Sequence, residues 1–64
     1  MAAAERATLL NQIVAKMGQS LADATLTPEE RRAEALTIFA HRCAKFALTP
    51  AEEDWVQAQV FGPE

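Results

Sequence analysis

The residue types that most often carry out catalysis are scarce in this chain, which has one histidine and one cysteine. His41 and Cys43 are two residues apart, so a helix places them on different faces, where they cannot pair as base and nucleophile. No carboxylate lies three or four residues from His41. Cys43 falls between Phe39 and Phe46 on an apolar stripe, where cysteine commonly behaves as a small buried side chain. We therefore expect no catalytic residue and no enzyme activity.

Three consecutive acids, Glu52, Glu53 and Asp54, come nearest to a metal-binding pattern. A hard cation needs further oxygen ligands converging from a loop, and no loop here supplies them. A single cysteine and a single histidine cannot form a structural zinc site. Acids in the first turn of a helix explain the run, and an acidic patch that docks on a basic partner is the alternative. We expect no metal, no cofactor and no small-molecule substrate.

A tight junction near residue 49 also suggests a helix-turn-helix corner, because basic residues are concentrated in the helix before it. In that motif the following helix enters the major groove and presents basic or amide groups to the bases. Here no Lys or Arg follows Lys45, the next helix begins with acids, and the net charge is −3. Phosphates would repel such a helix. A small helix-turn-helix-like nucleic-acid-binding regulator, with Gln57 and Gln59 facing the bases, is therefore the alternative to the function predicted below.

Two matching segments, residues 26–30 and 48–52, mark where helices begin. Each places Thr at the N-cap, Pro at the first helical position and Glu at the third. The Thr hydroxyl can accept from the third backbone N–H while the Glu side chain bonds back to the cap. The second segment also ends the preceding helix, because the residue before a proline is pushed away from helical geometry.

Apolar spacing predicts helices at about residues 3–22, 28–48 and 50–61. The first helix has an apolar stripe at spacings of three and four: Leu10, Ile13, Val14, Met17 and Leu21. The second has a seam of heptad type: Leu36, Phe39, Cys43 and Phe46. A short link makes these two helices antiparallel. Gly18 interrupts the first stripe, either where another helix crosses closely or where the last turn loosens.

The predicted fold is all-α: one small three-helix domain over residues 1–64, an antiparallel helical hairpin plus a short third helix. A chain this short often needs a disulfide, a metal or a partner, and the first two are excluded. We therefore expect oligomerisation or a partner to complete the fold. The lone thiol, the absence of an export signal and the absence of a long apolar run predict a cytoplasmic protein that does not enter a membrane.

The chain has more large apolar side chains than a helical hairpin can easily bury. The surplus consists of Leu9, Ile38, Trp55 and Phe61. An exposed apolar patch on a small domain usually marks an association site, and aromatic side chains concentrate its binding energy. The predicted function is a small acidic protein-binding module, acting as an accessory subunit, inhibitor or antitoxin-like regulator. Its partner is another protein, a second copy in a homodimer, or both. The predicted partner-binding residues are Phe39, Cys43, Phe46, Trp55 and Phe61.

Overall fold

The computed structural model describes residues 3–62, and within that range the chain forms three α-helices and no strand. Helix α1 spans Ala3–Leu21, α2 spans Pro28–Phe46 and α3 spans Pro50–Phe61. α1 packs against both α2 and α3, which confirms the predicted all-α, three-helix fold. The predicted stop after α3 is present at Gly62, the C-cap, whereas Pro63 lies outside the described residues.

Both predicted capping boxes are formed, and they fix the starts of α2 and α3. The Thr27 hydroxyl accepts from the Glu30 N–H at 3.2 Å, and the Glu30 carboxylate accepts from the Thr27 N–H at 2.9 Å. Thr49 and Glu52 repeat these two bonds at the same distances. Each box satisfies backbone donors that a helix N-terminus otherwise leaves unbonded.

α2 ends at Phe46, two residues earlier than its spacing predicts. Ala47 caps the helix in the left-handed conformation, with φ of 50°. The Leu48 N–H then bonds back to the Cys43 carbonyl at 3.2 Å, which satisfies an acceptor in the last turn. The left-handed residue turns the chain so that α3 begins at Pro50 after a link of three residues.

The core is built from five buried apolar residues: Ile13, Met17, Ala35, Phe39 and Val56. The predicted stripe of α1 is therefore confirmed at its centre, at Ile13 and Met17. The predicted seam of α2 is wrong at Leu36, whose side chain is 38 % exposed, while Ala35 is fully buried. α2 packs mainly against α1, and the side that it buries is centred on Ala35 and Phe39 and not on a strict heptad line.

Gly18 is not a site of close helix crossing. A β-carbon built at this position would meet nothing within 4 Å, and the residue lies exposed within α1. The close-crossing interpretation of this glycine is therefore wrong, and its place in the helix costs stability without a packing gain.

Candidate functional site

Trp55 is the largest side chain that the fold leaves outside its core. It lies on α3, and 41 % of its surface is exposed. Beside it runs an open hollow of about 400 Å³ between α1 and α3. We call this hollow the Trp55 groove; it is lined by Ala7, Leu10, Asn11, Ala51, Glu52 and Trp55. Small and apolar side chains form most of its surface, so Trp55 offers an aromatic anchor next to a depression.

The one charged group that lines the Trp55 groove is neutralised within the chain. Two bonds of 2.7 Å join the Arg6 guanidinium to the Glu52 carboxylate, one from Nε to Oε2 and one from Nη2 to Oε1. The Arg6 ion pair and the Thr49 N–H lower the pKa of Glu52 from 4.5 to about 2. Glu52 is thus a fixed, compensated anion, and the groove presents no free charge.

Arg6 also stabilises the junction between α2 and α3. Its Nη1 and Nη2 atoms donate to the carbonyls of Phe46 and Ala47, both at 3.3 Å. These carbonyls belong to the end of α2, where a cation complements the helix dipole. One side chain of α1 therefore contacts the last turn of α2 and the first turn of α3.

A second groove lies between α1 and α2 and contains Phe46. We call it the Phe46 groove; it is lined by Leu9, Gln12, Ile13, Lys16, Arg42 and Phe46. Its volume is about 220 Å³. The ammonium of Lys45 lies 5.4 Å from the centroid of the Phe46 ring, so a third cation stands beside the same aromatic side chain.

A third hollow separates α2 from α3 and contains Phe61. The Arg32 guanidinium lies over the Phe61 ring, 4.9 Å from its centroid. Leu36 and Asp54 contribute to the same hollow. Phe61 is partly buried against the core and covered by a cation, so it presents less aromatic surface than Trp55 does.

The predicted partner-binding residues do not share one surface. Phe39 is a core residue with 9 % exposure, and Cys43 is partly buried against that core. Phe46, Trp55 and Phe61 line three different grooves. Trp55 is therefore the most exposed member of the predicted set, and it lies in a different groove from Phe61.

The Cys43 thiol is in surroundings that favour its protonated form. Burial raises its pKa, and the charge and hydrogen bond of the Glu53 carboxylate raise the pKa further. A reactive cysteine needs the opposite shift. This geometry matches the interpretation of Cys43 as a packing residue.

The three acids at positions 52–54 contact different parts of the fold. Glu52 completes the capping box, Glu53 lies beside the Cys43 thiol, and Asp54 lines the hollow near Phe61. His41 is exposed on α2. No group of three His, Cys, Asp or Glu side chains within residues 3–62 could hold a metal ion.

In the same range, no helix is both long and apolar enough to cross a membrane.

Two arginines have structural roles that the apolar spacing of the sequence does not predict. Arg6 joins the three helices, as described above, although its helix position alone predicts a solvated face. Arg31 donates from Nε to the carbonyls of Asp23 and Leu26, at 2.8 and 3.1 Å, and so fixes the link between α1 and α2. A local signal exists only for Arg31, which lies within eight residues of its acceptors. Arg6 and Glu52 are 46 residues apart, and no local spacing reports such a pair.

Comparisons of this chain with models of known protein families, with curated proteins and with solved structures gave no match.

Proposed function

We propose that this protein works by associating with proteins, as a small acidic accessory subunit, inhibitor or antitoxin-like regulator, and that the Trp55 groove is a contact surface. The observation that supports this proposal is the position of Trp55, which remains 41 % exposed beside an open hollow. Tryptophan is one of the side chains that most often dominate the energy of an interface. Burying its exposed part on association would remove an apolar surface that folding alone leaves in water.

The occupant that we propose for the Trp55 groove is a second copy of the chain. A two-fold dimer places one patch against the same patch of the partner. An uncompensated charge in that patch would therefore lie close to an identical charge and repel it. The Trp55 groove avoids this repulsion, because Arg6 compensates Glu52 and the other lining residues are uncharged. Self-pairing of this surface is therefore not opposed by electrostatics.

The rest of the proposal concerns where and how such a dimer acts. A homodimer that leaves its other helix faces exposed can dock on a larger protein, which is the work of an accessory or regulatory subunit. The lone cysteine supports a reducing compartment, and we propose the cytoplasm.

Sedimentation equilibrium of the purified chain tests the self-association. We expect the wild type to pass from the 7.0 kDa monomer toward twice that mass as its concentration rises through the micromolar range. Trp55→Ala removes the aromatic anchor and should leave the chain monomeric at the same concentrations. Circular dichroism of this variant establishes that its helices are retained.

Leu36→Ala is the matched control, because Leu36 is the other large apolar side chain with substantial exposure among residues 3–62, at 38 % against 41 % for Trp55. It lines the hollow between α2 and α3 and not the Trp55 groove. This variant should dimerise as the wild type does. Equal loss of dimer in both variants, or a wild type that stays monomeric throughout, contradicts the proposal.

A further inference from the structure

The cations of this chain are distributed unevenly around the three helices. Six Lys and Arg residues stand against nine Asp and Glu residues. Arg6 is paired with Glu52, Arg31 is bonded to loop carbonyls, and Arg32 covers Phe61. The remaining three, Lys16, Arg42 and Lys45, all belong to the Phe46 groove or lie beside its aromatic ring. An acidic protein thus places half of its Lys and Arg residues at one groove.

These three cations have no ionic partner within the described part of the chain. The ion pair found among residues 3–62 is that of Arg6 with Glu52. Glu5 lines an adjoining shallow hollow with Leu9 and Gln12, and Lys16 shares a second adjoining hollow with Asp23 and Glu34. The Phe46 groove itself is lined by two cations, Lys16 and Arg42, and by no carboxylate, so its rim is positive. A positive rim of this kind attracts a negatively charged partner and sets its orientation.

Apolar side chains also line the same groove. Leu9 and Ile13 come from α1 and Phe46 comes from α2, and they share the groove with Lys16 and Arg42. A groove between two helices that offers apolar contacts is a surface on which an amphipathic helix can dock. A polyphosphate backbone has no apolar groups to place there, and the acids of α3 and the net charge of −3 would repel a long polyanion.

We propose that the Phe46 groove binds an acidic amphipathic helix of a partner protein. Apolar side chains of that helix, one turn apart, contact Leu9 and Phe46. Its carboxylates pair with Lys16 and Arg42. This inference deepens the proposed function, since it gives the chemical class of the partner for an association module, but it uses a groove on a different flank from Trp55.

The test is a titration of the isotope-labelled full chain, followed by its amide NMR signals. The probe is a synthetic helical peptide that presents two leucines one turn apart with glutamates on either side. A twin peptide with glutamine in place of each glutamate is the control probe. We expect shifts that centre on Leu9, Ile13 and Phe46, and roughly tenfold weaker binding of the glutamine twin, because two exposed ion pairs are lost.

Two arginines of α2 provide matched variants, since Arg42 lies on the Phe46 groove and Arg32 covers Phe61. Arg42→Glu and Arg32→Glu change the net charge equally. Arg42→Glu should weaken binding of the acidic peptide by roughly tenfold or more, and Arg32→Glu should leave that binding nearly unchanged. Lys16→Glu, at an exposed position of α1, should reproduce the loss if Arg42→Glu disturbs folding.

Several results would overturn the proposal. These are an absence of shifts, shifts centred on the Trp55 groove, or equal binding of the two peptides. Tighter binding of a generic DNA duplex than of the acidic peptide would assign the surface to nucleic acid. Loss of self-association in Arg42→Glu but not in Trp55→Ala would assign it to a second copy.

Trp55→Ala titrated with the same peptide keeps the two proposals distinct, because it should bind as the wild type does even if the wild type is monomeric.

Discussion

Arg6 and Glu52 lie 46 residues apart and form a two-bond ion pair in which both nitrogen–oxygen distances are 2.7 Å. The same carboxylate accepts the Thr49 N–H, and the same guanidinium donates to the carbonyls of Phe46 and Ala47. One pair of side chains therefore holds the start of α1, the end of α2 and the start of α3 together. It also leaves the Trp55 groove without free charge, which is the condition for the self-pairing proposed above.

Glu52→Gln should lower the thermal midpoint of unfolding more than Glu30→Gln does. Both glutamates occupy the third position of a capping box, and glutamine can replace glutamate in that motif. Of these two glutamates, only Glu52 forms an ion pair with an arginine, Arg6. The side chains of Arg6 and Glu52 are 28 % and 16 % exposed, so the ion pair is partly buried. The difference between the variants therefore reports the ion pair apart from the cap. Equal midpoints, measured by circular dichroism, would show that the pair does not stabilise the fold.

The same carboxylate should make stability depend on acid pH. Its pKa is 4.5 in an ordinary setting and about 2 in the folded chain, so its stabilising effect is fully present above pH 4.5 and is lost as the pH falls toward 2. Glu30 and Asp23 also have lowered pKa values, because they accept bonds from Thr27 and Thr25. Denaturant titrations between pH 2 and 6 should show a steeper acid loss for the wild type than for Glu52→Gln. Parallel curves would contradict this assignment.

Ala47→Gly should stabilise the protein by about 1 kcal/mol, because glycine adopts the left-handed conformation without the steric cost that alanine bears. Ala47 has φ of 50° and is exposed, so its methyl group contributes no core packing. The control is Ala44→Gly, at an exposed helical position one turn earlier, which should destabilise by about 1 kcal/mol. Chemical denaturation measures both. A loss of stability at both positions would show that Ala47 is not strained.

Gly18→Ala should stabilise α1 by up to about 1 kcal/mol, since glycine is a poor helix former and nothing crowds the position. For a domain of this size that gain raises the thermal midpoint by roughly 4–8 °C. Ala15→Gly, at an exposed position one turn earlier in α1, should lower the midpoint by a similar amount. If Gly18→Ala instead lowers the midpoint, the glycine has a packing role and the open surroundings found here are wrong.

The elements of this fold could be predicted because their signals are local. The Thr-Pro-Glu caps act over four residues, and the stripe of Ile13 and Met17 spans one turn. The prediction that Leu36 is buried is wrong, and Ala35 is buried in its place. Which side of α2 is buried depends on how α1 packs against it, and this is a tertiary property that the spacing within α2 does not contain. The left-handed conformation at Ala47 could not be predicted, because the residue there is alanine and not the glycine that usually marks it.

The candidate site was predictable only in part. The sequence predicts Trp55 to be a surplus aromatic residue, and it is exposed. Its groove depends on α1, which contributes Ala7, Leu10 and Asn11 to one wall, and sequence spacing within α3 contains no information about them. Two further features likewise depend on how the helices are arranged in space. Trp55 and Phe61 lie in different grooves, and Lys16 and Arg42 line the same groove.

The central claim, that Trp55 is buried when two copies of the chain associate, can be measured through that residue itself, because it is the chain's only tryptophan. We expect its fluorescence emission to shift to shorter wavelength, and its quenching by acrylamide to fall, as the protein is concentrated through the micromolar range. Leu36→Ala should show the same change. Emission and quenching that do not vary with concentration, in a wild type whose helices are intact, would contradict the claim.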